Sequence, residues 1–96
     1  MSKPKTKHDW LATLDDRSRL RSWKYRDLKR ALESVDAQEV SSEGSHRTWK
    51  HADYRDLLTL VKRGNKTLPT GYVKAVRELL RTVIAAEENR EDDEDN

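Results

Sequence analysis

His46 follows the dipeptide Gly44-Ser45 and opens the run His46-Arg47-Thr48-Trp49-Lys50-His51. An imidazole has a reference pKa of about 6.5 and can take or give a proton near neutral pH, which makes His46 a candidate general acid or base. Gly44 beside it lets the backbone approach a ligand closely. The same residues also suit an ordinary polar strand end next to a hairpin turn. His51 does not make a metal pair with His46, because an odd separation places the two on opposite faces of a regular strand. The chain has no cysteine, and no nearby carboxylate completes a coordination set. His51 therefore reads as a hydrogen-bonded structural group. Asp53 and Asp56 imitate the paired carboxylates of a metal-dependent nuclease, but they read as turn formers in a hairpin connection. The sequence predicts no metal and no cofactor.

The elements that would hold these residues follow from hydrophobic spacing. From Trp23 to Val35, apolar side chains fall at Tyr25, Leu28, Leu32 and Val35, one stripe along a helix. Ser22 is its expected N-cap, and Asp36-Ala37 its end. Three short strands are predicted near Gln38–Ser42, Ser45–Ala52 and Leu57–Lys62, separated by Gly44-Ser45 and by a connection around Asp53. Thr70 is the expected cap of a last helix, with Tyr72, Val73, Val76, Leu79, Leu80, Val83 and Ile84 on one side. The predicted fold is α+β: a three-stranded antiparallel sheet, with both helices covering one face and the other left open. If Trp49 points into the core, His46, Thr48 and Lys50 point out together. Residues 1–21 are expected to form a basic, partly helical and loosely attached extension, residues 22–86 the domain, and residues 87–96 a disordered acidic tail.

Composition limits the partners. Of the 96 residues, 33% are hydrophobic and 40% charged, so the core is small. The last ten residues hold seven acids and one arginine, which leaves 19 basic and 11 acidic side chains in the rest, a net of +8. A basic body of this kind suits a phosphate-bearing partner, since neutralised phosphates release their condensed counterions. The longest aliphatic run, Leu57-Leu58-Thr59-Leu60-Val61, is too short to span a bilayer. A soluble, cytoplasmic protein with no membrane partner is the expectation.

Gly44-Ser45-His46 leading to Lys50-His51, then Leu68-Pro69-Thr70-Gly71 opening a helix, resembles the HicA family of bacterial toxins, small ribonucleases with a fold like a double-stranded-RNA-binding domain. The likeness spans roughly Trp23 to Val83. Departures are Asp36-Ala37 where many members have glycine, Ala52 where many have proline, and the two terminal segments. The resemblance implies metal-independent cleavage of messenger RNA by His46, under the control of a HicB-like antitoxin. RNA supplies its own nucleophile, the 2′-hydroxyl, so a single well-placed acid or base is chemically useful. Gly44, Ser45, Arg47, Lys50, Lys62 and Arg63 are the expected RNA-binding residues, with Lys50 and Arg47 holding the phosphate. The competing readings are a non-catalytic RNA-binding module of the same fold and a protein-interaction domain.

Overall fold

A computed structural model of the chain describes residues 6–19 and 21–94. Met1 to Lys5, Leu20, Asp95 and Asn96, parts of the expected extension and tail, lie outside the described residues. The elements are α1 (Lys7–Leu14), a short 3-10 turn (Arg17–Arg19), α2 (Tyr25–Glu33), β1 (Gln38–Glu43), β2 (His46–His51), β3 (Tyr54–Val61) and α3 (Thr70–Glu94). The strands form one antiparallel sheet in the order β1-β2-β3. The fold is the α+β arrangement read from the sequence, with a third helix built in.

Trp49, Leu58 and Leu60 turn inward from the sheet and join Leu28, Ala31 and Leu32 of α2 and Val73, Val76, Leu79, Leu80 and Val83 of α3 in one buried cluster. The periodic stripes of both helices thus meet the same sheet face. The indole nitrogens of Trp23 and Trp49 are buried with no hydrogen-bond partner among the described residues. Apolar area must offset the roughly 1–3 kcal/mol that each buried donor costs.

Helix α2 starts at Tyr25, not after Ser22. The Lys24 N–H donates to Asp27 Oδ2 at 3.1 Å, and this carboxylate in the first turn also suits the positive end of the helix dipole. At the other end, Asp36 adopts φ 62°, while the Ala37 N–H donates to Leu32 O and the Asp36 N–H to Glu33 O. This is a Schellman closure, which favours glycine at the left-handed position. Aspartate tolerates that conformation better than most residues, but not freely. Asp36→Gly removes that strain and adds back some unfolded-chain entropy, so a gain of about 0.5–1 kcal/mol is expected. An increase in the urea midpoint at constant m-value checks it.

Two expectations about the termini are corrected. The N-terminal segment is not loosely attached: Trp10 and Leu14 are buried in the core, and the Trp10 and Trp23 rings lie 6.2 Å apart. Thr6 caps α1 by accepting from the Asp9 N–H at 3.1 Å, and Asp9 accepts from the Thr6 N–H in return. Asp15 takes Arg81 at 2.7 Å and Arg77 at 3.6 Å from α3. The acidic segment from Glu87 is not disordered through Glu94 either, because α3 continues across it. Glu87 pairs with Lys7, which holds the Lys7 ammonium above its ordinary pKa. Arg90 grips Asp53 with two parallel bonds of 2.9 and 3.0 Å, and that hydrogen bonding keeps the Asp53 carboxyl below the usual range. These long-range ion pairs, not apolar burial, tie the acidic end to the domain.

Candidate active site

The β1–β2 hairpin closes through two residues, Gly44 and Ser45, with Glu43 opposite His46. Gly44 has φ 57° and Ser45 has no positive φ, the pattern of a type II′ turn whose first central residue is glycine. His46 is therefore the first residue of β2. On its other side it faces Val61 of β3, and the Lys62 N–H donates to Ser45 O at 2.7 Å. Ser45, His46, Lys62 and Arg63 are brought together at one end of the sheet, all exposed.

The strand's period of two sets the rest. Trp49 is buried, while His46 and Lys50 are exposed, so the open face carries His46, Thr48 and Lys50 as expected. The Thr48 and Thr59 hydroxyls hydrogen-bond across that face at 3.0 Å. Lys50 lies four residues beyond His46, about 13 Å at the rise of an extended strand. It is placed for a neighbouring phosphate rather than for the one beside His46.

Arg47 is engaged within the hairpin itself. It turns to the opposite face, where Nη1 donates to Gly44 O at 2.6 Å and His46 O at 3.0 Å, and Nε sits 3.8 Å from Glu39. Its guanidinium braces the hairpin that presents His46. Nearby, burial raises the Tyr25 hydroxyl pKa.

His51 is fixed by both ring nitrogens. Nδ1 accepts from the Asp53 N–H at 3.0 Å, which leaves Nε2 to donate to Val35 O at 2.9 Å. It pins the β2–β3 turn to the end of α2. Asp56, expected in the connection, lies within β3, because the turn is only Ala52-Asp53 and a bulge lets β3 begin at Tyr54. Among the described residues, no three histidine, aspartate or glutamate side chains group as a metal set.

One basic residue at this end escaped the sequence reading as a site residue. The Lys24–Thr67 bridge and the Leu68 N–H to Trp23 O bond of 2.8 Å draw the chain before α2 alongside the chain before α3. An open cleft results, lined by Arg21, Arg63, Thr67, Leu68, Pro69 and Thr70. Local sequence marks Arg21 only as one member of a basic run.

No helix among the described residues is long and apolar enough to cross a membrane. No curated protein matches the chain, and no solved structure does. A family model described as HicA toxin of bacterial toxin-antitoxin matches residues 25–82, from the start of α2 into α3. That span takes in the hairpin with His46, the three strands, the buried face of α2 and most of that of α3, more than half of the chain. The chain belongs to the HicA toxin family, and an antitoxin partner follows from that membership.

Proposed function

We propose that the chain is a metal-independent endoribonuclease that cleaves messenger RNA in the cytoplasm and is neutralised by a HicB-like antitoxin. The observation that carries the reading is an exposed imidazole at the head of β2, presented by a braced glycine turn beside two exposed cations, Lys62 and Arg63. In the reaction, a neutral His46 takes the proton of the 2′-hydroxyl as that oxygen attacks the adjacent phosphorus. The bond from phosphorus to the 5′-oxygen breaks, leaving a 2′,3′-cyclic phosphate, and the 5′-oxygen takes a proton from water or from the imidazolium. Lys62 offsets charge on the phosphorane, Gly44 and Ser45 let the backbone close on it, and Arg63 and Lys50 hold neighbouring phosphates of the strand. Acid–base catalysis of this kind is worth about 10² to 10⁴ in rate.

The test is incubation of the purified chain, freed of copurifying antitoxin, with labelled single-stranded RNA in EDTA. Cleavage to cyclic-phosphate ends is expected. Retarded but intact RNA points to the binding module instead, and neither effect points to a protein-interaction domain.

A further inference from the structure

We propose that Arg21 and Arg63 form a second phosphate subsite that holds the RNA strand beside His46, so that residues ahead of the family-matched region contribute to substrate binding. The inference rests on the ribonuclease reading for its ligand. It starts from charge. Arg21 and Arg63 line one cleft, both are exposed, and neither has an ion-pair partner among the described residues. Two guanidinium groups on one cleft repel each other, and an anion between them relieves that repulsion. Their planar forks match phosphate oxygens, and the hydroxyls of Thr67 and Thr70 add neutral donors. Arg19 contributes differently: its guanidinium lies 4.9 Å over the Trp23 ring, anchoring the segment that carries Arg21.

Position makes the ligand a polymer. Val61 faces His46 across the sheet, and Arg63 stands two residues further on. With 3.8 Å per residue step and about 5 Å between paired strands, the Arg63 Cα lies within about 13 Å of the His46 Cα. Neighbouring phosphates of one RNA strand can occupy both places. The cleft is open, so it grips one phosphate and leaves the rest of the ligand free to continue toward the sheet.

Fluorescence anisotropy with a labelled single-stranded RNA of about twelve nucleotides reads the contact directly. Arg21→Ala should reduce the log–log salt slope of binding by about 0.7, the value for one lost phosphate contact on a single strand. Arg21→Lys, which keeps the charge, should restore most of the slope. In cleavage assays, Arg21→Ala should raise KM for that RNA several-fold with kcat unchanged, and should leave a dinucleoside monophosphate, which has only the scissile phosphate, unaffected. An unchanged salt slope, or an equal loss on the dinucleotide, overturns the subsite. If the parent protein binds but does not cleave, the ribonuclease reading fails on its own, and the anisotropy slope still decides whether Arg21 meets a phosphate.

Discussion

His46→Ala lowers RNA cleavage by about 10² or more and leaves fold and RNA affinity close to those of the parent. The asymmetry follows from where the side chain sits. His46 is exposed at the head of β2, so truncating it opens no cavity, and its backbone pairing with Glu43 and Val61 does not depend on the imidazole. Phosphate binding stays with Lys62, Arg63 and Lys50, so affinity should fall little. Only the proton transfer is lost. His51→Ala is the control, because both of its ring nitrogens are committed to Val35 O and the Asp53 N–H. Its removal leaves those two backbone groups without their partner and should cost about 1–3 kcal/mol of stability, with the rate per folded molecule retained. Cleavage assays paired with urea melts separate the two variants. A His46→Ala protein that cuts RNA as fast as the parent ends the catalytic reading.

How much of this the sequence disclosed depends on the range of the interaction. The stripes of α2 and α3 are local periodicities and predicted one covered sheet face, the turn residues marked the strands, and the alternation along β2 gave the outward set His46, Thr48 and Lys50 on the condition, met in the structure, that Trp49 points inward. The start of β3 was not legible, because Tyr54-Arg55-Asp56 reads as a polar connection until a bulge absorbs the mismatch with β2. Arg47 looked like a phosphate ligand on charge alone, but its bonds to Gly44 O and His46 O are a property of the closed hairpin. The acidic segment carried no apolar stripe of its own, so its order rests on partners distant in sequence, Lys7 for Glu87 and Asp53 for Arg90. The cleft of Arg21 and Arg63 is the same kind of case. Each arginine is unremarkable alone, and only the pairing of the chain near Lys24 with the chain near Thr67 joins them.

Leu14→Ala should be among the most destabilising substitutions in the chain, although it lies outside the matched family region. Leu14 is fully buried, 0% exposed, in the same cluster as Leu28, Leu79 and Leu80. Truncating a leucine in such a site removes transfer energy and leaves a cavity, typically about 2–5 kcal/mol. A domain of this size has about 5–15 kcal/mol in all, so the urea midpoint should fall by a large fraction of its value, in one transition and at nearly constant m-value. The ion pairs that α1 makes with α3 are surface contacts of a kind worth about 0–1 kcal/mol each. Glu87→Gln should therefore shift the midpoint far less than Leu14→Ala does. The contrast decides what α1 is. As a peripheral strap held by charge, it would tolerate the loss of Leu14 and respond mainly to salt and to Glu87. As part of the core, it fails with Leu14 and is nearly indifferent to Glu87. Only in the second case does α1 firmly hold the following segment, with Arg19 on Trp23 and Arg21 at the cleft. Loss of Leu14 should then also weaken RNA binding as the temperature nears the lowered melt, because the segment that carries Arg21 unfolds together with the core.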